Sequence, residues 1–334
     1  MATVINLVAD IGGTNIRVGF FADNQTEVKQ LTVFQCNKYQ SLAEVLHTYI
    51  EQENLTNSKI NACLAIACPV EKDLISMTNL PWEFSQEALK KQLNFNHLYL
   101  INDYTAIAHA VPLLTEQQKV QIGSGQAISD KPIAICGPGT GLGVANVVFS
   151  QGQCVCLGGE GGHVDFAPTD ATEIKILEFL LTQYQHVSYE QLLSGLGLEQ
   201  IYQALSTINE TVVEDLSAKD ISDNAITKSC ATCEQALDQF CKILGSFAGN
   251  LALTIASFGG VYIAGGIVPR FIQYFENSEF RARFEAKGRF NDFNRRIPTF
   301  VITESQPGIL GASAYLRQQN HKTLTTYTTE TVKL

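Results

Sequence analysis

The chain has 334 residues, 45% of them hydrophobic and 17% charged, enough apolar chain for about two buried cores without disulfide or metal staples. A formal net charge of −10 repels polyanions and argues against general binding to nucleic acid or to an anionic membrane, although backbone N–H groups can still hold a small anion in one cleft. Nine scattered cysteines, with no basic apolar leader and no run of about 18 apolar residues, predict reduced thiols in a cytoplasmic protein.

From the N-terminus, Val4–Ala9 is a strand candidate, Asp10–Asn15 a Gly-rich break, and Ile16–Phe21 alternates as a returning strand would. Helical spacing follows over Ser41–Glu53, then a buried strand over Ala62–Ala67, a helix over Ser85–Leu93 and a strand over Leu98–Ile101 that ends at Asn102-Asp103. A second Gly-rich hairpin joins Ile133–Cys136 to Val144–Phe149 through Gly137–Gly143. Two such hairpins suggest two related halves, and the alternation of strands with helices implies α/β layers. Helices are expected over Thr172–Gln185, Ser188–Leu193 and Cys233–Ile255, a strand over Gly260–Ala264, and a frayed or edge-paired tail over Thr323–Leu334.

Four places carry chemistry. The break Asp10-Ile11-Gly12-Gly13-Thr14 follows a strand, so its N–H groups can converge on phosphate oxygens and its Asp can hold Mg²⁺; an ordinary hairpin turn is the alternative. Gly137–Thr140 repeats that design. Neither a P-loop nor a G-x-G-x-x-G dinucleotide turn is present. At Asn102-Asp103 the carboxylate is either a proton acceptor for a substrate hydroxyl or the cap of a helix over Thr105–Val111. In Gly158–Asp165, glycines bracket Glu160 and precede His163; a polar-ligand site, a metal site and a surface loop all remain open. Cys230 and Cys233 read as helix residues, with redox use the alternative, and Cys154 and Cys156 form a second short pair.

Together, Asp10–Thr14, Ala65–Pro69, Met77–Asn79 with Trp82, Ile101–Ala106, Gly137–Ala145, Leu157–Pro168, Leu193–Leu198 and Phe258–Phe271 resemble the bacterial glucokinases. These are ATP-dependent, hexokinase-type enzymes of the actin-like ATPase superfamily. The resemblance implies a two-domain α/β fold of the ribonuclease H-like kind with a sugar/ATP cleft between the domains. A small domain would span 1–112 plus about 303–334 and a large one 113–302. It implies phosphorylation of D-glucose at the 6-hydroxyl, the first step of glycolysis, with Asp103 as general base.

On the same resemblance, Asn79, Asn102, Gly139, Glu160, His163 and Glu190 would bind the sugar alongside Asp103. Ala9, Asp10, Ile11, Gly12, Gly13, Thr14, Asn15 and Thr140 would face the ATP phosphates, with Gly265 and Gly266 near the nucleoside and Asp10 holding Mg²⁺ through water. The expected partner is glucose, and the expected assembly a homodimer. Other readings are a kinase for another hexose or N-acetylhexosamine and a non-catalytic sugar sensor.

Overall fold

The computed structural model describes residues 4–331 apart from 24, 26, 78, 79 and 152, with only the backbone over 321–331. It divides into two compact units, Met1–Leu113 with Ser305–Leu334, and Leu114–Glu304.

Unit 1 is built on β1 (Val4–Ile11), β2 (Asn15–Ala22), β3 (Lys29–Gln35), β4 (Lys59–Ile66) and β7 (His97–Asn102), in the order β3-β2-β1-β4-β7. A two-stranded pair, β5 (Leu74–Ser76) with β6 (Glu83–Ser85), stands apart from that sheet. The sheet is antiparallel through β3-β2-β1 and parallel through β1-β4-β7. Helix α1 (Leu42–Gln52) covers one face, where Leu42, Leu46 and Tyr49 pack on Leu7, Ile11, Ile16 and Val18. Ser41 caps it by accepting the Glu44 N–H, as Ser85 caps α2 (Gln86–Gln92). On the other face lie α3 (Asp103–Ala110) and the C-terminal helix Pro307–Thr331, whose Ile309, Ala312 and Leu316 bury against Val8, Cys63, Ala65 and Ala106.

Unit 2 repeats the plan. Its sheet runs β11-β10-β9-β12-β13-β8, from β8 (Lys119–Ile122), β9 (Ile133–Pro138), β10 (Leu142–Ser150), β11 (Gln153–Gly159), β12 (Gly260–Ile263) and β13 (Thr299–Ile302). Antiparallel pairing through β11-β10-β9 again gives way to parallel pairing through β9-β12-β13. The two Gly-rich hairpins therefore sit at equivalent places in two sheets of like topology. Helices α4 (Ala171–Leu181), α5 (Gly195–Ile208), α6 (Ala218–Ile226) and α7 (Ala231–Ile255) build the main core, with Phe240 and Phe247 of α7 fully enclosed. No described helix is long and apolar enough to cross a membrane.

Three expectations need correction. Ser188–Leu193 is a turn, because Tyr189 and Glu190 spend their N–H groups on the Val164 and Gly162 carbonyls rather than on a helix ladder. The helix expected to reach Gln185 stops at Leu181, since Val187 must return to accept the Phe166 N–H. The Thr-rich tail is helical to Thr331; after Gly311 no Gly or Pro interrupts propagation from the packed first turns.

The C-terminal helix approaches its neighbours without room for side chains at two positions. A Cβ on Gly311 would stand 1.6 Å from the Ala106 carbonyl oxygen, and one on Gly308 would stand 2.7 Å from Asp10 Cγ. Backbone cannot yield as a flexible side chain does, so Gly311→Ala forces the helix off α3. We expect it to cost about 3 kcal/mol, measured as a shift in urea midpoint at unchanged m-value.

Candidate active site

In unit 1 the register of the β1–β2 hairpin sets Asp10 opposite Arg17, and their side chains approach to 3.8 Å. Burial drives the Asp10 pKa upward, and the Arg17 guanidinium only partly opposes it. The turn between the strands is closed by the Gly12 N–H donating to the Asn15 carbonyl at 3.1 Å, while the Thr14 carbonyl accepts the Cys36 N–H at 2.9 Å. Thr14 is exposed, and Gly12, Gly13 and Asn15 are half-buried.

Asp103 stands where β7 ends and α3 begins. Of the two readings left open for it, the cap belongs to its neighbour. Asn102 Oδ1 accepts the Tyr104 and Thr105 N–H groups at 2.9 and 3.4 Å, and Asp103 is the first helical residue. Burial raises the Asp103 pKa to about 6; the Tyr104 N–H pulls it down, the negative charge of Asp10 pushes it further up, and the Asn102 side chain hydrogen-bonds the carboxyl. A carboxylate poised near neutrality at the carboxyl end of a parallel strand is suited to accept a proton.

The sequence puts Asp10 two residues before a glycine pair, and in the fold it also meets the first turn of the C-terminal helix, at Gly308. A helix N-terminus favours an ionised carboxylate. Among the described residues no cluster of three or more His, Cys, Asp or Glu could hold a metal ion. The hard oxygens of Asp10 and Thr14 suit a cation that completes its shell with water and phosphate, as Mg²⁺ does.

In unit 2 the second hairpin is tied to the Glu190 turn. Leu142 N–H donates to Glu190 Oε2 at 2.8 Å, the Gly139 carbonyl accepts the Gly195 N–H at 2.9 Å, and Glu190 Oε1 lies 3.7 Å from His163 Nε2. Glu160 precedes the 3₁₀ turn Gly161–His163, is exposed, and accepts the His163 N–H on its carbonyl at 3.0 Å. Asp165, the third donor of the metal reading, pairs instead with His186 at 2.7 Å.

The glycines of this region divide into two kinds. A Cβ on Gly141 would strike Glu190 Oε2 at 2.5 Å, one on Gly162 the Leu142 carbonyl at 2.1 Å, and one on Gly265 the Pro138 carbonyl at 2.3 Å. Those three make room for the protein itself. Gly139, Gly159 and Gly266 would meet nothing closer than 3.9 Å and leave open space, the property a ligand-facing glycine needs. Thr140 is exposed at the tip of the hairpin and Gly265 abuts its base.

Asn79 lies outside the described residues. The structure thus brings Asp10, Asp103 and Asn102 together in unit 1, and Glu190, His163 and the Gly139–Leu142 turn together in unit 2. Two contributors were not singled out in the sequence. Arg17 was legible from the hairpin register, four residues past a two-glycine turn; the Gly308/Gly311 pair had a weaker signal, a small-residue run beside Pro307.

The chain matches the glucokinase family over residues 7–319. It is 61% identical over 320 residues to the glucokinase of Colwellia psychrerythraea, covering 94% of this chain and 97% of that one. With the glucokinase of Yersinia enterocolitica it shares 46% identity over 318 residues, covering 95% and 98%. The crystal structure of a glucokinase from an Antarctic psychrotroph superposes with a TM-score of 0.85 at 35% identity, over 94% of this chain and 99% of that one. The chain therefore belongs to the glucokinase family, has the actin-like ATPase fold, and catalyses ATP-dependent phosphorylation of glucose.

Proposed function

We propose that the transfer is to the 6-hydroxyl of D-glucose, with Asp103 as general base and the two compact units as the enzyme's two domains. The observation that carries this reading is the Asp103 carboxyl, desolvated to a pKa of about 6 at the start of α3 and biased further by the Asp10 charge. As the sugar oxygen attacks the γ-phosphorus, its proton passes to Asp103 and the bond from phosphorus to the leaving ADP oxygen breaks. Phosphoryl transfer asks for positioning and charge neutralisation more than covalent help. Asn102 fixes Asp103 by hydrogen bond and by capping the same helix.

Glu190, His163 and Glu160 are assigned to the remaining sugar hydroxyls, with Gly139 and Asn79 lining the pocket. Ala9, Asp10, Ile11, Gly12, Gly13, Thr14, Asn15 and Thr140 are assigned to the phosphates, and Gly265 and Gly266 to the nucleoside. Support comes from the open space at Gly139 and Gly266 and from the exposed Thr14 and Thr140 side chains. Asp10 would hold Mg²⁺ through water; when bound, the ion neutralises phosphate charge. The enzyme is placed in the cytoplasm as a homodimer acting at the entry to glycolysis. The nine thiols, none in a disulfide, fit a reducing compartment.

ADP production across a panel of hexoses tests the substrate assignment, with glucose expected to give the highest kcat/KM; a higher value for mannose or an N-acetylhexosamine would reassign it. Asp103→Ala should lower kcat on the order of 10²-fold or more while glucose still binds. The wild-type kcat/KM should fall as pH drops through about 6, where Asp103 takes up its proton, and Asp10→Asn should move that limb to lower pH. Because the folded-state pKa of Asp103 is raised, the folded chain holds more protons than the unfolded one between the ordinary carboxylate range and about 6, so this group's contribution to stability declines as pH rises through that window. Asp103→Asn should accordingly raise Tm at pH 7 and lose that advantage at pH 4. Glu190→Gln, which keeps an acceptor for Leu142 N–H, should raise the glucose KM about tenfold at unchanged Tm.

A further inference from the structure

Beyond this reading, β11 carries a feature that the phosphoryl-transfer chemistry does not use. It is the edge strand of its sheet, paired only to β10, with Cys156 opposite Val147 and Cys154 opposite Phe149. Residues two apart on a strand share a face. Both thiols are half-exposed, and their sulfurs stand 3.8 Å apart. Six of the other seven cysteines are buried; Cys230 is half-exposed, but its neighbour in the second short pair, Cys233, is buried within the α7 core.

We propose that Cys154 and Cys156 form an oxidisable dithiol, which a peroxide converts reversibly to a disulfide and which thereby weakens sugar binding through Glu160. The second half of this inference rests on the sugar role assigned to Glu160.

The two sulfurs share a hydrogen bond in which either can donate, and sharing it lowers the Cys154 pKa and raises that of Cys156. Cys154 is therefore the attacking thiolate and Cys156 the resolving thiol. Cys154 sulfur displaces hydroxide from hydrogen peroxide, forming an S–O bond as the O–O bond breaks, and the hydroxide leaves as water after taking up a proton. Cys156 sulfur then attacks the sulfenic sulfur, the S–S bond forms, and the S–O bond breaks to release a second water. The two thiols supply the two electrons that reduce the peroxide.

Geometry makes the product strained. Two residues on an extended strand span about 6.6 Å between Cα atoms, the upper end of what a disulfide bridges, and the sulfurs must close to about 2.05 Å. The strand has to pucker, and a strained bridge is readily reduced. Neighbouring geometry directs the displacement. After Leu157 come Gly158 and Gly159, where a Cβ on Gly159 would meet no atom within 4 Å, and then Glu160.

The test treats the full-length protein with one equivalent of hydrogen peroxide, then alkylates and maps peptides. The expected result is a mass loss of about 2 Da on the peptide holding both cysteines, restored by dithiothreitol, with the glucose KM raised about tenfold in the oxidised form. Cys154→Ser should abolish the bridge and the KM response together while leaving basal activity unchanged. A bridge that forms only between Cys230 and Cys233, or none, would overturn the proposal, as would a Cys154–Cys156 bridge that leaves KM unmoved. Glu160→Gln separates the two claims: an unchanged KM in that variant refutes the sugar role of Glu160, whereas a raised KM in that variant beside an oxidised wild type whose KM is unmoved refutes the switch alone.

Discussion

The C-terminal helix can seat in unit 1 only because Gly308 and Gly311 carry no side chains. Three residues apart, they face the same side of the helix. One lies against the Asp10 carboxyl and the other against the backbone of α3, the helix that begins with Asp103. A single helical turn therefore registers the Asp10 and Asp103 carboxylates against each other. Their electrostatic coupling, in which the charge of Asp10 helps raise the Asp103 pKa, acts within that shared register.

The second unit solves its problem by different means. Where unit 1 desolvates charges, unit 2 uses backbone. The Glu190 carboxylate is held by the Leu142 N–H, and the Gly162 carbonyl holds the Glu190 N–H in return. Glycines at 141 and 162 permit this mutual approach, so half of what reads as ligand space is taken by the protein's own groups. The loop gains a fixed acceptor at Glu190 while Glu160 and His163 stay at the surface.

Much of the fold was legible in local pattern. Strands β1, β2, β9 and β10, the helices expected from Ser41 and Ser85, and the long α7 follow from alternation and helical spacing, which act over a few residues. Edge strands β3 and β11 were not legible, because Lys29–Gln35 and Gln153–Gly159 bury little and their pairing comes from a neighbour. Ser188–Leu193 failed for a related reason, since a distant glycine claims its backbone. Within the site, the glycine turns, Asp10 and the Asn102-Asp103 pair stand out unaided, but spacing could not separate cap from base; that needed the Asn102 hydrogen bonds. Glu190 has no local signature, since the Leu142 N–H that holds its carboxylate lies 48 residues away in the chain.

The division of the chain also bears on how it acquires its shape during synthesis. Unit 2 is one uninterrupted stretch, Leu114–Glu304, whereas unit 1 waits for Ser305 onward before its second face is covered. A ribosome delivers the N-terminal part first, yet one side of the sheet carrying Asp10 has only α3 to cover it until translation is nearly over. The middle of the polypeptide can mature earlier than its beginning, and closing the long loop adds an entropic cost that grows only slowly with length. Nascent chains would then expose Val8, Cys63 and Ala65 longest, making that apolar face the natural place for a chaperone to hold.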